Sequence, residues 1–291
     1  MRNSHSILIN KFLLHPLCPC PVSSLASATL SRFLAVGAQT NCLTYILRFL
    51  VTGYTMVFTR PSNIPFPSTW RRFHTDRGTL RIQDLTADLH EEAIALLTRY
   101  FMRDEPPCKY IGIQNYPSAV AELQNLWRTP LKENLSLVCV EDNEEQPPRI
   151  VGVNVLTVVC KEDKEEPFHS DDKIWAQLFG AVDLVSKGVD IFEKYGVDKY
   201  LTAYGLVVDP AWRGCGVGKE LLRARIPLCK ALNISVTATV FTAGASQAIA
   251  KKAGFIDLYE ITYEELAKKG FVFPGVEKDT KSSKLMALAI E

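Results

Sequence analysis

Acidic residues are missing from the start of this chain. No Asp or Glu precedes Asp76, whereas Arg2, Lys11, Arg32, Arg48, Arg60, Arg71 and Arg72 do. An acid-free, basic, Ser-bearing start has the composition of a mitochondrial transit segment. A long uninterrupted apolar run is missing too: a membrane anchor is the weaker reading of the stretch 42–58, because Arg48 interrupts it and it falls short of the roughly 20 residues a span needs. Met56 offers a second start. Residues 1–55 therefore read as an N-terminal extension, for targeting or otherwise, or as a start-site artefact, with 56–78 as a linker and the folded domain over 79–291. The expected compartment is cytoplasmic, or mitochondrial if the extension is a genuine transit segment. The eight cysteines form no paired framework, and Cys18-Pro19-Cys20 with Cys42 lacks the spacing of a zinc site, so no metal is expected. A net charge of +1 supplies no bulk attraction to nucleic acid or to an anionic membrane. The expected state is a monomer with a small-molecule partner and no stable membrane partner. Internal repeats and low-complexity tracts are also absent.

With 291 residues and 47% apolar content, the chain is long enough to bury one sizeable α/β core. Thr79-Leu-Arg-Ile-Gln reads as a first strand. Leu89, Ala93, Leu96, Leu97, Tyr100 and Phe101 recur at helical spacing, and Pro106-Pro107 requires that helix to stop by Glu105. A second helix is predicted over 118–127. The runs 135–140 and 150–159 are rich in β-formers and flank a polar turn, which predicts a hairpin. A helical segment over 171–195 follows. Then come a strand at 200–208, a helix at 219–231, a strand at 236–241, a helix at 246–252 and a strand at 255–261. A short helix at 263–269 precedes a terminal strand at 283–290. This alternation after a leading hairpin predicts a mixed sheet in one α/β domain.

Arg213-Gly214-Cys215-Gly216-Val217-Gly218 lies between a strand and a helix. Glycines let a backbone approach an anion with its N–H groups inward, and the helix adds its positive end. A P-loop is excluded, because Gly218-Lys219 is followed by Glu220 and not by Ser or Thr. A dinucleotide fingerprint is excluded by the glycine spacing and by its late place in the chain. The pattern Arg/Gln-x-x-Gly-x-Gly/Ala after a strand ending in Val-x-Pro fits without gaps.

That stretch, Gly205-Leu-Val-Val-Asp-Pro-Ala-Trp-Arg-Gly-Cys-Gly-Val-Gly-Lys-Glu-Leu-Leu, resembles the central motif of the GNAT superfamily of N-acetyltransferases, and the resemblance spans roughly 79–290. Phe101-Met-Arg-Asp-Glu-Pro, Phe241-Thr-Ala-Gly-Ala-Ser-Gln and Lys252-Ala-Gly-Phe more narrowly resemble the insect arylalkylamine N-acetyltransferases. The resemblance implies a single-domain GNAT fold of the α/β class, a mixed central β-sheet flanked by α-helices. It implies acetyl-CoA as cosubstrate and an amine such as dopamine, serotonin, octopamine or tyramine as acceptor, with direct transfer and no covalent enzyme intermediate. Backbone groups of Leu206, Val207 and Val208 would take the pantetheine arm as an added strand. Arg213, Gly214, Cys215, Gly216, Val217, Gly218 and Lys219 would surround the pyrophosphate.

The same resemblance makes Glu105 the base, acting through water, and Thr242 and Ser246 the group's hydroxyl pair, with Thr242 in place of the usual serine. Ser246 equally reads as the cap of its helix. Asp104 reads as structural. Ala250 stands where many GNAT enzymes carry a thiolate-protonating tyrosine, so the general acid is unassigned. Tyr110, Tyr116, Trp127 and Phe168 are candidate walls of an aryl pocket. The alternatives are acetylation of a polyamine, agmatine or another amine, acetylation of a protein, and a silent acyl-CoA-binding module.

Overall fold

The computed structural model describes residues 58–143, 148–163 and 168–291. The extension 1–55, with the targeting reading attached to it, lies outside them. The first strand is not at residue 79. Thr69–Thr75 (β1) and Gly78–Asp84 (β2) form an antiparallel hairpin, so the C-terminal part of the predicted linker belongs to the sheet. β1 went unread because its sequence, Thr-Trp-Arg-Arg-Phe-His-Thr, carries the charges typical of a strand at a sheet's rim. Fully buried Asp84 then holds the preceding segment in place. Its carboxylate accepts from Arg60 at 2.8 and 2.9 Å, from Trp70 Nε1 at 2.6 Å and from the Ser68 N–H at 2.7 Å.

The first helix, α1 (His90–Leu96), enters through a 3-10 turn at Ala87–Leu89 and leaves through a π turn at Leu97–Phe101 and a last turn at Met102–Asp104. Pro106 does end it, but it also begins α2 (Pro106–Ile111), because a proline at a first helical position gives up only an N–H that has no partner there. Then follow α3 (Pro117–Leu131), β3 (Leu137–Glu141) and β4 (Ile150–Cys160). The predicted helix 171–195 is two helices, α4 (Lys173–Ser186) and α5 (Ile191–Tyr195). Gly188 lies in the break, where an added Cβ would sit 2.3 Å from the Tyr259 ring. The rest is β5 (Lys199–Val208), α6 (Val217–Ala231), β6 (Val236–Phe241), α7 (Gly244–Ala253), β7 (Ile256–Thr262), α8 (Tyr263–Lys268) and β8 (Ser282–Ala289).

The eight strands form one mixed sheet in the order β1-β2-β3-β4-β5-β6-β8-β7, covered by helices on both faces. Period-2 alternation divides the core. Val138 and Val140 face one cluster, with Ile94, Trp127 and Leu178 from α1, α3 and α4 among its members. Leu137 and Cys139 face another, with Leu221, Ala224 and Leu228 of α6. Each fully buried Leu or Val side chain contributes about 1.5–3 kcal/mol relative to exposure.

Two irregularities in mid-sheet shape the site. β5 and β6 run parallel and are joined at a single register pair, Leu201 with Thr237. β5 also bulges: Val155 faces Gly205 and Leu156 faces Ala203, leaving Tyr204 extra. Such a bulge bends its strand and frees backbone groups. Here the Tyr204 carbonyl accepts from Trp127 Nε1 at 3.1 Å, and the Gly205 carbonyl accepts from Asn154 Nδ2 at 2.8 Å.

Candidate active site

After β5, the Asp209 side chain accepts from the Ala211 N–H at 2.8 Å and starts a short 3-10 turn, Pro210–Trp212. Gly214 and Gly216 follow, both at φ 82°, a left-handed conformation open to glycine at little cost, and a Cβ added at either would meet nothing within 4 Å. The outer side of this loop is therefore open. α6 begins directly at Val217, so its unpaired N–H groups and positive end adjoin the loop. Val217 turns its side chain into the core, leaving only its backbone for a ligand. Gly218 has a packing role, since a Cβ there would lie 2.8 Å from Ile249 Cδ1 of α7. The Lys219 ammonium lies 3.2 Å from buried Glu220, which also pairs with Arg71 at 2.7 Å and Arg223 at 3.3 Å. Three cations around one carboxylate leave a positive excess at the start of α6. The Cys215 thiol lies 3.6 Å from Asp76. On β5, Leu206, Val207 and Val208 pair with Asn154, Val153 and Gly152 of β4. Toward β6 no register pair extends beyond Leu201, so that side of the strand has free backbone groups.

Across from this loop, Glu105 caps α2. The residue before a proline is pushed into extended geometry, and at φ −68°, ψ 124° Glu105 folds its carboxylate back to accept from the Cys108 N–H at 2.8 Å. Its other oxygen accepts from the Thr242 hydroxyl, just beyond the end of β6. Burial pushes this carboxyl above the usual range, while the Thr242 and Cys108 donors oppose the rise. The adjacent Asp104 behaves differently. It accepts from Arg103 and, at 2.6 Å, from Arg213 Nη2, and these guanidinium groups hold it below the usual carboxylate range. Arg213 also donates to the Val208 carbonyl at 3.2 Å. Two consecutive carboxylates thus join the glycine loop to the Thr242 end of the sheet.

Residues 95–255 match the model of the acetyltransferase (GNAT) family. The chain belongs to the GNAT family. It is 37% identical to a putative arylalkylamine N-acetyltransferase 7 from the yellow fever mosquito Aedes aegypti, with a TM-score of 0.76 over 80% of this chain and 100% of that one. Arylalkylamine N-acetyltransferase 2 of Aedes aegypti, at 22% identity and a TM-score of 0.63 over 73% and 99% of the two chains, shares the fold. So does a Drosophila melanogaster polyamine N-acetyltransferase that forms N-acetylagmatine, at 15% identity and 0.58 over 72% and 100%. No curated protein matches the sequence.

Within this GNAT fold, the structure brings Glu105 and Thr242 together and ties Arg213 to the residue beside them. Ser246 bonds the backbone one residue past Thr242. It does not cap its helix: α7 starts at Gly244 with Ala243 as its cap, and the Ser246 hydroxyl donates to the Ala243 carbonyl at 2.8 Å. Ala250 is fully buried. Tyr263 was missed by sequence reasoning; its hydroxyl donates to the Thr242 carbonyl at 2.7 Å and fixes that residue from behind. Asp104 was read as structural, and its place between Arg103 and Arg213 was not foreseen.

Of the candidate aryl walls, Trp127 is core and holds the bulge, Tyr116 is exposed, Tyr110 lies against Gly275, and Phe168 packs on Trp175 and Phe179. A cavity of about 330 Å³ adjoins the Tyr204 bulge of β5, lined by Glu122, Leu126, Glu133, Thr157, Trp175 and Tyr204 among others. Burial raises the Glu133 carboxyl, opposed by a hydrogen bond from Thr157. Carboxylates beside aromatic rings suit an organic cation. Among the described residues no group of His, Cys, Asp and Glu has the makings of a metal site, and no helix is long and apolar enough to cross a membrane.

Proposed function

We propose that this GNAT enzyme transfers the acetyl group of acetyl-CoA to the primary amine of an arylalkylamine of the dopamine, serotonin, octopamine or tyramine class. The donor fits the open glycine loop, the positive start of α6 and the free side of β5, an elongated anion-binding site. Acetyl-CoA supplies an activated thioester carbonyl; the amine nitrogen bonds to it, the C–S bond breaks, and coenzyme A leaves as a thiolate that takes up the proton the nitrogen gives up on becoming an amide. The observation that carries the acceptor side is Glu105, a partly buried carboxylate held by two donors, one residue from the Asp104–Arg213 contact. In this reading Glu105 attracts the ammonium form of the substrate and removes its proton through water, leaving a neutral nucleophilic amine. Thr242 orients the carboxylate, and Tyr263 fixes Thr242. Arg213 through Lys219 hold the pyrophosphate by backbone N–H groups and cations.

Glu105→Gln keeps the side chain's shape and its hydrogen bond from the Cys108 N–H. It is expected to lower kcat by about 10²–10⁴-fold with an unchanged Kd for acetyl-CoA. Steady-state kinetics on an amine panel, read by thiol release, together with calorimetry, test this. A fully active Glu105→Gln enzyme rejects the base assignment. A second reading, acetylation of agmatine or a polyamine, is favoured by the pair of carboxylates, Glu122 and Glu133, in the 330 Å³ cavity. Such a pair suits a second positive charge. A higher kcat/KM for agmatine than for dopamine in the same panel selects that reading.

A further inference from the structure

Arg225 of α6 is 1% exposed, and among the described residues it makes no ion pair. Its partners are neutral. Nε donates to Asn154 Oδ1 on β4 at 2.9 Å, and Nη1 donates to the Thr239 hydroxyl at 2.9 Å and the Thr237 hydroxyl at 3.3 Å, both on β6. The guanidinium also lies 5.8 Å from the centre of the Phe255 ring. Desolvation brings its pKa down to about 10, which still leaves it charged at neutral pH. A buried, unneutralised guanidinium is costly, and well-packed apolar side chains of similar volume often stabilise a core at least as well. Stability alone is therefore a poor account of this residue.

Its position suggests a better one. β5 and β6 lose their ladder after the pair Leu201–Thr237, and Arg225 bonds the Thr237 and Thr239 hydroxyls at and just past that point. On the other side it grips Asn154, whose Nδ2 holds the Gly205 carbonyl next to the Tyr204 bulge. One continuous chain of hydrogen bonds thus runs from the bulge of β5 through Asn154 and Arg225 to β6, crossing the gap that backbone pairing leaves open. A planar fork with five donors spreads them over three nitrogens and so serves acceptors on two strands at once, whereas a lysine must do so from a single nitrogen.

We infer that Arg225 is a positioning residue that sets the width of the β5–β6 split, and with it the fit of the donor's pantetheine arm and the alignment of that arm with the Thr242 end of β6. This rests on the reading that acetyl-CoA lies along the free side of β5. The role is geometric, so its loss is felt by any acyl donor occupying the split, with or without a nucleotide.

The test compares Arg225→Met, Arg225→Lys and the double variant Thr237→Val/Thr239→Val with the wild type. The double variant keeps the buried charge and cuts only its hold on β6. Folding is checked by circular dichroism and cooperative melting. Arg225→Met and the double variant are each expected to raise KM about tenfold for acetyl-CoA and by the same factor for S-acetylpantetheine, with the amine KM unchanged and Arg225→Lys in between. Wild-type KM values in the folded variants overturn the inference. So does a loss confined to acetyl-CoA, which assigns the charge to the pyrophosphate. If Arg225→Met does not fold, the double variant carries the test. If neither folds, the network serves stability alone and the inference falls. A wild-type chain that binds no acyl-CoA by calorimetry refutes the donor reading first, and this inference with it.

Discussion

Thr242 donates to a carboxylate that burial already pushes toward its protonated form. Replacing it with valine keeps the branched shape and removes one donor to the charged state. A hydrogen bond to a charged group contributes about 1.5–3 kcal/mol. Both residues are only partly buried, so the lower end applies. About 1.4 kcal/mol corresponds to a tenfold change in an equilibrium, so valine displaces the Glu105 ionisation about tenfold toward the acid. The sign follows from the role: only the carboxylate removes a proton, and losing a donor favours the protonated form. Activity is then lost at a higher pH than in the wild type and regained once the group ionises. The assay is kcat/KM from about pH 5 to 9 with one amine and saturating acetyl-CoA, taken as the wild-type to Thr242→Val ratio at each pH, so that the amine's own titration cancels. A ratio near ten at the acid end and near one at the alkaline end is expected. A ratio that does not vary with pH would refute the pairing of Thr242 with a catalytic base.

Two further variants separate binding from packing in the glycine loop. Arg213→Ala removes the guanidinium proposed to meet the pyrophosphate, so calorimetry should give an acetyl-CoA Kd about tenfold higher with the affinity for S-acetylpantetheine unchanged. Equal losses on both ligands would move Arg213 out of the pyrophosphate site. Gly218→Val forces bulk into a position where even a Cβ lies 2.8 Å from Ile249. Overpacking of this kind costs about 1–3 kcal/mol, seen as a Tm lowered by several degrees. An unchanged Tm would show that α6 and α7 can part without cost.

The strand–turn–helix around Gly214 was legible because its glycine spacing is local and each glycine has a backbone reason. The GNAT assignment made on those residues is borne out by the family match. β3, β4 and β6 were legible because their apolar runs are buried on both faces. What escaped reading depends on distant partners. β1 looked like a linker because its arginines find acids far along the chain, Arg71 at Glu220 and Arg72 at Asp142. Pro106 read as a stop, since sequence shows where a helix must end more readily than that another starts at once. Arg225 falls in a helix whose polar positions suggest a solvated face, and only the tertiary arrangement of Asn154, Thr237 and Thr239 turns it inward. Ser246 has the composition of a cap, yet the helix begins two residues earlier.

The single register pair between β5 and β6 has a consequence for how the protein keeps to itself. A strand with unmet N–H and C=O groups at the rim of a sheet invites other chains to pair with it, and ends in aggregation or swapping. This fold places such a strand in the middle, walled by β4 on one side and by β6 with β8 on the other. The hydrogen-bonding groups stay available, but only to something slender enough to enter between two neighbouring strands. Pairing with the rim of another sheet is thereby hindered by the sheet order before any side chain is chosen.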